Sequence, residues 1–179
     1  DLRWGVRNEA ARDHQTMRIC LEEISRCQAV AKRPNFLALL GHRYGWQPLP
    51  SEIRADHFEA IKIKATRTEK RLLDRWYRLD ENFVPTQRYL VPVPESLSDW
   101  GKIESELRLL IEHGICEIDD LTEWQRVRYT ASATEQEVFA GVFNRDQSDG
   151  AACFFRQIDN ANEILAKPRT TKDPWASFW

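Results

Sequence analysis

Apolar residues recur at helical spacing over four stretches of this chain and gather in short strand-like segments over three others. The two patterns predict different elements. From His14 to about Val30, the positions Met17, Cys20, Leu21, Ile24 and Cys27 share one side of a helix, with Glu22 and Glu23 opposite. Asp13, at the end of the polar loop Arg7–Asp13, stands where it can cap that helix. Asp56 to about Leu79 reads as one long amphipathic helix along Phe58, Ile61, Ala65, Leu72, Trp76 and Leu79. A third helix runs from Asp99 to Gly114, with Ile103, Leu107, Leu110 and Ile111 inward. A fourth, Ser132 to Asn144, carries Val138, Phe139, Val142 and Phe143.

Residues 1–6 read as a short strand, Ala151–Ile158 as a buried strand, and Phe36–Leu40 as a continuous apolar run. Such a run suits a strand buried on both faces, the habit of parallel sheets. The first strand, the first helix and the Phe36–Leu40 run form a βαβ unit, whose crossover is expected to be right-handed. Tyr89–Val93 is a further short extended piece. Residues 51–118 read as a helical insertion of roughly seventy residues, too long and too structured for an ordinary connection. The expectation is one α/β domain over residues 1–160. Residues 161–179, rich in Pro, Thr and Lys, form a linker or the start of the next element.

Composition narrows the function. With 179 residues, 42% of them hydrophobic, the chain is long enough to bury a core. Lys and Arg number 26 against 28 Asp and Glu, a net charge of −2. That balance gives no electrostatic case for nucleic acid or an anionic membrane as the main partner. No apolar run approaches the roughly 20 residues that span a bilayer, and no signal peptide is visible. Cys20, Cys27, Cys116 and Cys153 include no Cys-x-x-Cys pair and read as reduced thiols of an intracellular protein.

Chemistry concentrates at two strand ends, Arg3-Trp4-Gly5 and Arg43-Tyr44-Gly45-Trp46. Ligand and partner sites of open parallel sheets form outside the carboxyl ends of the strands. There a guanidinium holds an anion and an aromatic ring offers a stacking face. The alternative is that Trp4 packs beneath its loop and Gly5 merely permits a tight backbone, and the same holds for the second loop. His14, His42, His57 and His113 show no metal-ligand spacing, so no metal is expected. No Gly-x-Ser-x-Gly elbow is present. Lys62–Arg67, with acids nearby, reads as a solvated helix face.

Several pieces in series carry a resemblance. They are Asp1-Leu2-Arg3-Trp4-Gly5-Val6, then Cys20-Leu21-Glu22-Glu23-Ile24, then Gly41-x-Arg43-Tyr44-Gly45 with Pro48-x-Pro50. Next come Leu72-Leu73-x-x-Trp76-Tyr77-x-x-Asp80-Glu81-Asn82-x-Val84-Pro85, Thr134-Glu135-x-Glu137-Val138 and the Phe154–Ile158 run. In this order they resemble the Toll/interleukin-1-receptor-like (TIR-like) N-terminal domain of NACHT and WD-repeat proteins. Related domains precede NACHT in the telomerase-associated vault protein. The resemblance implies a flavodoxin-like parallel sheet flanked by helices. It also implies that a first strand and helix are missing from this sequence, which is then a fragment.

The resemblance implies a cytoplasmic interaction and signalling module at the front of a NACHT-type ATPase, as in innate immunity. Its partners would be other protein domains, the NACHT module of the same chain and further copies of itself. No P-loop is present, so no nucleotide cofactor is assigned here. Some TIR domains cleave NAD with a glutamate, and Glu137 matches that position. A carboxylate can stabilise the oxocarbenium-like centre as nicotinamide leaves. The competing reading is local. Thr134-x-x-Glu137 and Ser132-x-x-Glu135 are both capping boxes, and the first would occupy Glu137 at a helix start.

Overall fold

The computed structural model describes residues 5–31, 35–41 and 44–143. Seven α-helices and three strands follow one another in them. The order is α1 (Asn8–Arg12), α2 (Thr16–Val30), β1 (Glu52–Arg54), α3 (Ala55–Lys62), α4 (Arg67–Trp76), β2 (Tyr77–Asp80), β3 (Gln87–Leu90), α5 (Trp100–Ile115), α6 (Glu123–Thr130) and α7 (Ala133–Val138). A π turn, Phe139–Phe143, continues α7.

The fold is mixed α/β, but its described sheet is antiparallel, with order β1-β3-β2. Tyr77 pairs with Leu90 and Asp80 with Gln87, while Glu52 on the other side pairs with Tyr89. All three strands lie within residues 51–118, the stretch read as a helical insertion, and that stretch builds the core. Ile53, Phe58, Leu73, Tyr77 and Leu107 are fully buried, with Ile111 and Ile115 nearly so. Each such side chain contributes on the order of 2 kcal/mol through burial. The Tyr77 hydroxyl, inside this core, donates to the Pro50 carbonyl at 2.8 Å.

The long helix expected over 56–79 is broken. Thr66 starts a new helix, its hydroxyl accepting from Glu69 N–H while the Glu69 carboxylate accepts from Thr66 N–H at 2.7 Å. This reciprocal pair outcompetes helix continuation across Ile63–Ala65. Past Trp76 the chain turns directly into β2, because Tyr77 gains both burial and a ladder partner there. On α5, Gly114 lets α3 approach so closely that a Cβ there would lie 2.6 Å from Ile61 Cα.

Residues Phe36–Leu40, expected as a buried parallel strand, carry no strand pairing. Leu37, Leu39 and Leu40 are 82, 87 and 70% exposed. No strand among the described residues lies beside them. The 1–6 run, all but its last two residues, and the 151–158 run lie outside the described residues. Arg7–Asp13, expected as a loop, is mostly α1, and Asp13 closes that helix instead of capping α2. The chain reverses at His14, which takes a left-handed φ of 56°. Its ring accounts for the strain: Nε2 lies 3.1 Å from the Val91 carbonyl, and Trp100 lies against it at 5.4 Å. Helix α2 buries no residue completely and rests its apolar side on α7 and the π turn.

Candidate functional site

The second of the two decorated loops reaches the start of α7. Ser132 is the N-cap, and its hydroxyl accepts from Glu135 N–H at 3.2 Å. Of the two competing capping positions, Ser132 is therefore the one that caps the helix, though as half of a capping box. The Glu135 carboxylate does not return to the Ser132 amide. Instead the Tyr44 hydroxyl stands between them, donating to Glu135 Oε2 at 2.6 Å and accepting from Ser132 N–H at 3.0 Å. Burial and then the bond to Glu135 push the Tyr44 hydroxyl above its ordinary pKa.

The neighbours of Tyr44 complete the cap. The Trp46 carbonyl accepts from Ala133 N–H at 2.8 Å. A Cβ on Gly45 would meet Thr134 Oγ1 at 3.3 Å, so glycine suits the close approach. Tyr44 and Trp46 thus satisfy amides at the start of α7 that have no intrahelical partner. This contact joins segments about ninety residues apart and has no local signature in the sequence.

Arg3, Trp4 and Arg43 lie outside the described residues. Gly5 is described: exposed, with φ of 74° and open space where a side chain would go. Glu137 takes no part in the cap. Its carboxylate lies near the Cys20 thiol of α2 and acts on it electrostatically. Burial first, then the negative charge of Glu137, push that thiol up to about 11.

Two clefts flank α7. One, of about 780 Å³, is lined by Leu39, Leu40, Tyr44, Val138, Phe139 and Phe143 among others. The other, of about 500 Å³, lies between α2 and the 46–52 segment, with α5 and α6 contributing Trp100 and Trp124. Glu137 lines neither, whereas Glu135 lines the first and Gln136 the second. The second cleft was missed in the sequence because its residues come from five separate segments. Among the described residues no group of His, Cys, Asp and Glu converges as a metal set, and no helix is long and apolar enough to cross a membrane.

No protein-family model matches the chain, and no solved structure matches it. Among curated proteins, NACHT domain- and WD repeat-containing protein 1 of mouse is 33% identical over 171 residues, covering 92% of this chain. NACHT and WD repeat domain-containing protein 2 of human is 26% identical over 195 residues, covering 96% of it. Telomerase protein component 1 of rat is 39% identical over 57 residues, 32% of the chain and 2% of that protein. The chain spans 11% of the length of the two NACHT proteins. Over nearly its whole length, this chain is similar to a short segment of NACHT and WD-repeat proteins.

Proposed function

We propose that this chain is a TIR-like interaction module of a NACHT- and WD-repeat protein, and that it self-associates through the apolar surface around Leu39 and Leu40. One observation carries the reading. Leu37, Leu39, Leu40 and Phe143 are 67–87% exposed, beside a cleft walled by Val127, Val138 and Phe139. An apolar patch of this kind on a soluble surface marks an interaction site. The occupant that fits is a second copy. Each copy offers both a protruding leucine strip and an apolar cleft, the self-complementary pair that a two-fold contact needs. A net charge of −2 puts little long-range repulsion in the way.

The similarity to a segment of NACHT and WD-repeat proteins supports the setting; the N-terminal and cytoplasmic place, and the NACHT part of the same chain as a further partner, belong to the proposal. The TIR-like, flavodoxin-like part of the reading rests on the motif series alone.

Sedimentation velocity tests the proposal. The chain should show a concentration-dependent shift towards dimer. Leu39→Asp with Leu40→Asp should remain monomeric while keeping its circular dichroism spectrum. A parent chain that stays monomeric at every concentration refutes self-association, and binding to the NACHT part alone would move the surface to that partner.

A second reading keeps Glu137 as the carboxylate of an NAD-cleaving site, with NAD as substrate. Its support is that Ser132 caps α7, which leaves Glu137 free of that duty. Against it, Glu137 faces Cys20 and lines neither cleft. Nicotinamide release that disappears in a folded Glu137→Ala variant is the result this reading requires.

A further inference from the structure

The 500 Å³ cleft between α2 and the 46–52 segment has no part in the self-association surface, and its walls are unusual. Three tryptophans line it, each held by a different neighbour. Trp46 Nε1 donates to Glu104 at 3.3 Å. Trp100 lies between Trp76, at 4.8 Å, and His14, at 5.4 Å. Trp124 stacks on Phe139 at 5.3 Å with the planes 14° apart. Indoles fixed in advance in this way lose little side-chain entropy when a ligand arrives.

The charges in the cleft are unevenly committed. Arg18 is tied to Glu22 at 2.8 Å, and Glu104 takes Arg108 at 3.0 Å. Two charges remain without an ion-pair or hydrogen-bond partner among the described residues: Glu52 and Arg128. Arg128 is exposed, so water satisfies it. Glu52 is half-buried on β1, its backbone fixed opposite Tyr89. No ion pair among the described residues takes the Glu52 carboxylate, which leaves it available to a cationic ligand. The lining carries three glutamates against two arginines, and burial lowers the His14 pKa, which keeps that ring neutral at pH 7. A carboxylate and three indoles lining one cleft supply the chemistry that recognises an organic cation, since indole is the best aromatic partner for one. The volume falls within the range of small-ligand pockets.

We propose that this cleft binds a guanidinium or alkylammonium group, with Glu52 as counter-ion and the tryptophans as the π surface. Such a group arrives either on a small free amine or on an arginine or lysine of a peptide.

Titration of the 179-residue chain, followed by its indole N–H resonances, tests this. Single Trp→Phe variants at 46, 100 and 124 assign the three signals. The probes are agmatine, N-acetyl-Gly-Arg-Gly-amide and the citrulline analogue of that peptide, which keeps the shape but not the charge. The cationic probes should shift the three signals saturably, the citrulline peptide should not, and Glu52→Gln should weaken binding by about tenfold or more. Trp46→Leu, at an exposed position, should weaken it independently. A peptide much tighter than agmatine identifies a peptide ligand, and equal binding identifies the free amine. The proposal is overturned by equal response to arginine and citrulline, by unchanged affinity in a folded Glu52→Gln, by no saturable shift, or by inorganic phosphate moving the same signals through Arg128.

Discussion

Adding one methyl group at Gly114 should force two helices apart. A Cβ there lies 2.6 Å from Ile61 Cα and 2.8 Å from Ile61 Cβ and Cγ2. Carbon atoms pack at about 3.5–4.0 Å, so α3 and α5 must separate by about 1 Å. The obstacle includes backbone, so no rotamer change relieves it. Around the contact Phe58, Leu107, Ile111 and Ile115 are all buried, and a gap of that size forfeits a quarter to a half of each contact's attraction. Overpacking of this kind costs about 1–3 kcal/mol, and replacing a helical glycine returns at most about 1 kcal/mol. The expected net loss for Gly114→Ala is about 1–2 kcal/mol, or a Tm lower by about 3–6 °C for a chain of this size. Gly101→Ala is the control. It lies on the same helix with nothing within 4 Å, so it should be neutral or slightly stabilising. Urea unfolding of both variants, at equal m, measures the difference. If Gly114→Ala is as stable as Gly101→Ala, the close approach of α3 and α5 is refuted.

Tyr77→Phe removes a buried hydroxyl and leaves the Pro50 carbonyl without its 2.8 Å donor, so it should cost about 1–3 kcal/mol in the same assay. Tyr44→Phe should cost about 1 kcal/mol, because it frees the Ser132 amide and the Glu135 carboxylate together at an exposed site. Stability should fall as pH drops below about 6.5, the ordinary histidine value. Burial lowers the pKa of both His57 and His14, so the unfolded chain binds more protons there and gains as they add. His57→Phe should flatten that slope between pH 7 and 5, and an unchanged slope would remove His57 from the account. Alkylation mapped by mass spectrometry should find exposed Cys116 modified well before Cys20, whose thiol is pushed up to about 11.

Periodicity located the helices that pack by one face. Helices α2, α5 and α7 with its π turn lie within a residue or two of where their apolar spacing puts them. The 56–79 stretch misled because Ile61, Leu72 and Trp76 keep a helical rhythm across a break. The break had its own signal, the Thr66-x-x-Glu69 spacing of a capping box. The Phe36–Leu40 run shows the limit of composition. Five apolar residues in a row say that something covers them, but they do not say whether it is a sheet of the same domain or another surface. The second loop read as a binding surface, and among the described residues Tyr44 and Trp46 are seen in an intramolecular helix cap. That Tyr44 would enter the cap of a helix ninety residues away depends on tertiary placement, which no local pattern encodes.

The edges of the small antiparallel sheet bear on strand addition. In order β1-β3-β2, both outer strands keep one side unpaired among the described residues. An unpaired edge invites another chain to extend the sheet, a route to open-ended fibres. Here β1 is three residues long with Glu52 and Arg54 flanking one isoleucine, and β2 places Arg78 and Asp80 along four residues. Edges so short and so charged resist strand addition. Neither described edge thereby offers the long unpaired backbone that strand addition into a filament needs.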